Sequence, residues 1–227
     1  MCLPTAPLWV DRVKAMVALV LASASPARLS TLRGAGVEPE VIVSGVDEDA
    51  ALAAAIEASG PLAPDQVPLV LARAKAEQVA AQLPSASGGS LVLGCDSVLE
   101  LDGEVHGKPG DPHTAIERWH RMRGRSGVLH TGHWVVDLRE AGTERAVGGT
   151  ASTTVHFADL SDEEIRGYVE TGEPLQVAGA FTVDGLGGPY VTGIEGDYHA
   201  VVGVSLPLLR DLFAELGVIW HELRTPV

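Results

Sequence analysis

Cysteine is scarce in this chain. Only Cys2 and Cys95 occur among 227 residues, which leaves no disulfide framework and no cysteine-rich zinc pattern and fits a reducing, cytoplasmic setting. Aromatics make up 4% of the residues, so the core must rest mainly on alanine, valine and leucine, as suits an α/β protein. Positive charge is also short: 16 Lys and Arg face 30 Asp and Glu, a formal net charge of -14. Such a chain repels phosphate backbones, which argues against nucleic-acid partners. A small phosphorylated ligand would need a local cluster of Lys and Arg, or a divalent cation to screen it. No apolar run reaches the roughly 20 residues of a membrane-spanning helix, so no membrane partner is expected. A G-x-x-x-x-G-K-[ST] phosphate loop, a G-x-S-x-G elbow and an internal repeat are all missing. His130 and His133 form the one close histidine pair, and without further ligands nearby the pair argues for a structural role rather than a metal.

The N-terminal segment allows two readings. Arg12 and Lys14 precede an apolar stretch over 15–24 that ends in small residues, a pattern shared by secretory signal peptides. The same stretch reads as a first buried β-strand over 17–22, since a buried parallel strand is a continuous apolar run. The strand is preferred because a helix start comes directly after it. Residues 1–15 are then an extension, with Met16 a candidate true start, and residues 16–227 form a single domain.

That helix start is Ser23-Ala24-Ser25-Pro26-Ala27-Arg28. Ser25 suits an N-cap and Pro26 the first helical position, so a helix should run through Leu29 and Leu32 and stop near Gly34 or Gly36. A second strand is expected over 39–44, completing a βαβ unit. An acidic loop, Asp47-Glu48-Asp49, leads into alanine-rich helical sequence, with the clearest helix over 67–83. After a loop over 84–90 comes a strand over 91–99 and a hairpin signal at Asp102-Gly103. Gly107-Lys108-Pro109-Gly110 reads as a loop and 112–122 as a helix. Strands over 128–138 and 146–157 should pair antiparallel across a turn at Ala141-Gly142. Ser161 and Glu164 form a capping box that opens another helix. A glycine-rich loop over 179–188, a strand over 189–194, the segment 198–202 and a helix over 205–216 complete the chain.

Four features could carry chemistry. The strand-to-helix turn at 23–28 offers free N–H groups, two serine hydroxyls and Arg28, a cradle for an anion such as phosphate; ordinary helix capping is the plain alternative. Asp96 interrupts an apolar strand, where a carboxylate is costly unless it is paired, bonded or metal-bound. Lys75 and Lys108 are isolated cations, most simply solvated, whose interest lies in convergence with Arg28 and Asp96. The glycine-rich loop would let backbone approach a flat ligand closely.

Together these segments resemble the Maf family of nucleotide pyrophosphatases. The residues that carry the resemblance are Leu21-Ala22-Ser23-Ala24-Ser25-Pro26-Ala27-Arg28, Ala74-Lys75-Ala76, Gly94-Cys95-Asp96-Ser97, Gly107-Lys108-Pro109 and Glu173-Pro174 with Ala178-Gly179-Ala180-Phe181. Asp184-Gly185-Leu186-Gly187-Gly188 and Gly196-Asp197-Tyr198-His199 continue it in order. The resemblance implies an α/β fold with a mixed central sheet and flanking helices. It also implies a bilobed shape with a nucleotide cleft and a relation to inosine triphosphate pyrophosphatases. The implied activity is hydrolysis of a nucleoside triphosphate to the monophosphate and pyrophosphate with Mg2+ or Mn2+. By the same resemblance Asp96 is the catalytic proton acceptor and, with Glu48, a metal ligand. Ser23, Ser25, Arg28, Lys75 and Lys108 fall on triphosphate positions, and dimers are common in such families. The chain departs from the family at Ala27, where a second arginine is usual, at Ser97 and Asp184, and at Val177, where a cation is common. Ala27, Ser97 and Asp184 fall on positions tied to base choice, so neither known preference transfers. The rival reading is a nucleotide-binding regulator linked to cell division that binds without turnover.

Overall fold

A computed structural model describes residues 17–83, 89–140 and 145–224. The expected extension over 1–15, Met16, most of the loop over 84–90 and the turn at Ala141-Gly142 lie outside the described residues. The first unit has the expected βαβ form. Strand β1 (Ala18–Leu21) leads into helix α1 (Pro26–Gly34), and strand β2 (Glu40–Val41) returns parallel to β1. The Ser25 hydroxyl accepts from the Arg28 N–H, and Pro26 opens the helix. β2 has two residues where six were expected, and both are exposed.

The acidic triplet corrects one expectation, since it is not a loop but a helix start. Asp47 caps helix α2 (Glu48–Ser59) through the Ala50 N–H, and Glu48 and Asp49 lie in its first turn. Acidic groups there face the positive end of the helix dipole. Helix α3 (Gln66–Gln82) comes next, then strand β3 (Ser90–Leu101) and strand β4 (Glu104–His106). Asp102 and Gly103 both have positive φ, 56° and 79°, as a two-residue hairpin turn of this hand requires. Helix α4 (Pro112–Met122), strands β5 (Ser126–Asp137) and β6 (Arg145–Phe157), and helix α5 (Asp162–Glu170) continue the order. The Ser161–Glu164 capping box is formed as expected. Strand β7 (Val191–Glu195), helix α6 (Tyr198–Val202) and helix α7 (Leu206–Glu215) close it.

The described residues thus form an α/β structure with a mixed seven-stranded sheet and seven α-helices. The sheet order is β2-β1-β3-β5-β6-β7, with β4 paired to β3 off that path. β1 and β2 are parallel to their neighbours and the remaining pairs are antiparallel. None of the described helices is long and apolar enough to cross a membrane.

Two strands share one edge of β3. β1 pairs with it as far as Leu93, and β4 begins at Leu99. β1 is parallel to β3 and β4 antiparallel, so the two chains run toward each other along that edge. Between them β3 has β5 on one side and no strand on the other. Backbone groups alternate in direction along a strand. The Leu93 carbonyl faces β1, accepting from the Ala22 N–H, so Ser97, four residues on, presents its backbone groups to the gap.

Candidate active site

The two segments that flank this gap carry the sequence's anion-binding candidates. Past β1 come Ser23, Ser25 and the N-terminus of α1. Past β4 comes the Gly107-Lys108-Pro109 loop. That loop is fixed at its flanks: the Gly107 carbonyl accepts from Arg118 at 2.5 Å and from the Gly179 N–H at 3.2 Å, and the Gly110 N–H donates to Leu175. Lys108 itself is exposed and forms no hydrogen bond or ion pair with the described residues.

Arg28 is built into the protein rather than solvated. Its Nε donates to the Gly203 carbonyl at 2.8 Å, and Nη1 donates to Ser23 Oγ at 3.0 Å and to the Cys95 carbonyl at 2.9 Å. Nη2 donates to Ser97 Oγ at 3.2 Å. Four of the five guanidinium donors thus have protein acceptors. Ser23 is buried and its hydroxyl also accepts from the Ser25 N–H, so Ser23 orients Arg28 and the turn. Ser97 Oγ bonds Thr131 Oγ1, which donates to the Ala200 carbonyl. Ser97 therefore ties Arg28 to β5 and α6.

Asp96 points to the opposite face of β3 from Ser97, beneath α3. Lys75 on α3 donates to Asp96 Oδ1 at 2.6 Å and pairs with Glu48 Oε1 at 2.7 Å. The Asp96 side chain is 14% exposed and that of Glu48 53%, so the carboxylate pair has one inner and one solvent-facing member. Burial raises the Asp96 pKa above its ordinary value, and the cations Lys75 and Arg28 pull it back. The close approach of α3 depends on glycine. A Cβ on Gly94 would collide with the Ala72 carbonyl, and one on Gly132 with the backbone of Pro68.

Three neighbouring groups are structural. Burial pushes the Cys95 thiol up to about 12, which leaves no thiolate nucleophile. His130 bonds Glu100 and Ser152, each at 2.8 Å, while His133 accepts from the Ser205 N–H at 2.8 Å. Three residues apart on a strand, the two histidines face opposite sides of the sheet and do not form a metal pair.

Ala27 and Asp184, distant in sequence, line one hollow of about 330 Å³ beside α1, together with Ser30, Thr31, Tyr198 and His199. Ser97, the third position tied to base choice, is not among its lining residues.

Residues 18–216 match the family model described as Maf-like protein. The chain belongs to the Maf family. It is 60% identical to a protein of Salinispora tropica named nucleoside triphosphate pyrophosphatase, over 88% of this chain and 84% of that one. Proteins of the same name from Leifsonia xyli and Mycobacterium marinum are 53% and 52% identical, over 90% and 89% of this chain and 95% and 94% of theirs. Within this Maf-family chain the structure brings Ser23, Ser25, Arg28, Ser97, Lys75, Asp96 and Glu48 to the β1 side of the gap and its two faces. Lys108 stands on the β4 side with no bond joining it to them. Sequence reasoning gave Glu173 no role, although its carboxylate anchors the Asp184 loop; the only signal was its place in the Glu173-Pro174 motif.

Proposed function

We propose that the chain is a nucleoside triphosphate pyrophosphatase, which adds water between the α and β phosphates and releases pyrophosphate and the monophosphate. The observation that carries this reading is the Asp96–Lys75–Glu48 cluster beside the gap that the Ser-Pro helix tip and the Lys108 loop flank from its two ends. Asp96 is the proton acceptor for the attacking water; partial burial and a raised pKa suit a carboxylate to that task. The α1 N-terminus with Ser25, the remaining Arg28 donor, Lys75 and Lys108 hold the phosphates and balance their charge. Asp96 and Glu48 already place an oxygen each on one cationic point. Two hard oxygen donors suit Mg2+ or Mn2+, which bind through one or two carboxylates and share the substrate's phosphates. Such an ion would supply charge neutralisation on the phosphates. The halves of the sheet beyond β1 and beyond β4 are the two lobes of a nucleotide cleft, as in inosine triphosphate pyrophosphatases. Ala27 and Asp184 act on the base from the neighbouring hollow, with Ser97 acting through Arg28. A cytoplasmic setting, a single domain over 16–227 and a homodimer belong to the same reading; light scattering tests the last.

A pyrophosphate-release screen over standard and modified triphosphates, with Mg2+, with Mn2+ and with chelator, tests the activity. Turnover is expected only with metal, and Asp96→Asn should lower it by at least about a hundredfold. Full activity in that variant removes Asp96 from its role. Tight triphosphate binding without turnover by the wild type would favour the non-catalytic regulator.

A further inference from the structure

Glu173 has more partners than a loop carboxylate needs for solubility. It lies in a short 3-10 turn (Glu173–Gln176) after α5 and is half-buried. Oε1 accepts from Tyr168 Oη at 3.0 Å, Thr182 Oγ1 at 2.6 Å and the Gly187 N–H at 3.0 Å. Oε2 accepts from the Leu186 N–H at 3.0 Å. These donors bracket Asp184 on both sides. The loop also closes with no room to spare: a Cβ on Gly185 would lie 2.5 Å from Glu173 Oε2, and one on Gly187 would strike the Tyr168 hydroxyl. Two glycines and four donors thus wrap one carboxylate, and the residue at the turn's outer side is Asp184, which lines the hollow shared with Ala27, Tyr198 and His199.

We infer that Glu173 is a positioning residue for base selection: its carboxylate fixes the loop that presents Asp184 to the nucleobase. This rests on the reading above that the hollow takes the base. A loop bonded at Thr182, Leu186 and Gly187 holds Asp184 at one distance from the α1 wall of the hollow, so its oxygens meet a base edge already placed. All four partners donate, which demands an acceptor at both oxygens. Glutamine has nearly the same size but turns an NH2 toward one side of the clamp, which opens with the fold otherwise unchanged.

The test compares wild type, Glu173→Gln and Asp184→Ala for kcat and KM on the four common nucleoside triphosphates and on 1-deoxyribose 5-triphosphate, which has no base. Glu173→Gln should raise KM for the preferred nucleotide about tenfold, flatten discrimination between bases and leave kcat and the base-free substrate unchanged. Adding Asp184→Ala to Glu173→Gln should then change little, because both act through one contact. An equal loss on all substrates, the base-free one included, would make Glu173 a purely structural residue and overturn the inference, as would an unchanged base preference. If Asp184→Ala alone shifts base preference and Glu173→Gln does not, the inference falls and the base reading of the hollow stands. If Asp184→Ala shifts nothing, that base reading falls and the inference with it. Thr182→Val, which removes one donor to Glu173 and a weaker acceptor for the Gly187 N–H, gives the same comparison should Glu173→Gln fail to fold.

Discussion

A neutral histidine holds the sheet to the last helix. His133 is fully buried, and its Nε2 accepts the N–H of Ser205, the residue that caps α7. Burial first, and the nearby Arg28 charge second, push its pKa down to about 4 from an ordinary 6.5. The unfolded chain therefore takes up a proton near 6.5 that the folded chain refuses until about 4. Stability is full above the higher value and falls as pH drops through that window, by on the order of 3 kcal/mol. Melting curves between pH 7 and 4 should show this slope, and His133→Gln, which keeps an acceptor without the titration, should flatten it. An unchanged slope in the variant would assign the acid sensitivity to other groups. Arg28 thus acts at a distance on His133 and by contact on Ser97, and neither effect has a local sequence mark.

Helix α3 reaches the sheet only because two positions beneath it have no side chain. Gly94→Ala drives a methyl into the Ala72 carbonyl one turn from Lys75. We expect a loss of about 3 kcal/mol, at the upper end of ordinary overpacking. Because the displaced helix carries Lys75 away from Asp96, pyrophosphate release should fall in the fraction that stays folded. Denaturant unfolding and specific activity measure the two effects separately. Elements whose ends are set by neighbouring residues were legible. Ser25 with Pro26, Asp102 with Gly103, and Ser161 with Glu164 each carry their own turn or cap chemistry, and the structure has them. The start of α2 was misread because Asp47 can end a loop or cap a helix, and sequence does not rank the two. β2 was overestimated because the apolar run continues through Val43, past Ile42, whose N–H makes the bond to Leu21 at the end of β1.

Across the molecule, an acidic chain must receive a polyanion. With a net charge of -14, a bare triphosphate meets long-range repulsion, which the cations of the proposed site would have to offset. Mg2+ with a non-hydrolysable triphosphate analogue should therefore raise the melting temperature by more than the two separate shifts combined. Additive shifts would argue against a shared metal–nucleotide site. The candidate site was partly visible in the chain: Asp96 stood out as a carboxylate in an apolar strand and Arg28 by its place after the Ser-Pro turn, while Lys75 drew interest only through convergence with them. Their assembly was not, because it depends on pairings such as Arg28 with Gly203, 175 residues apart, and on two strands that stop short of each other along β3. The Glu173 clamp was hidden for the same reason: three of its four donors come from a loop that folds back on it.

The many tethers on Arg28 have one more consequence. A cation held by Gly203, Cys95, Ser23 and Ser97 cannot swing after a passing ligand. If Arg28 takes a phosphate as proposed, it would work as a gauge mark rather than a hand, because its side-chain freedom is already spent before any ligand arrives.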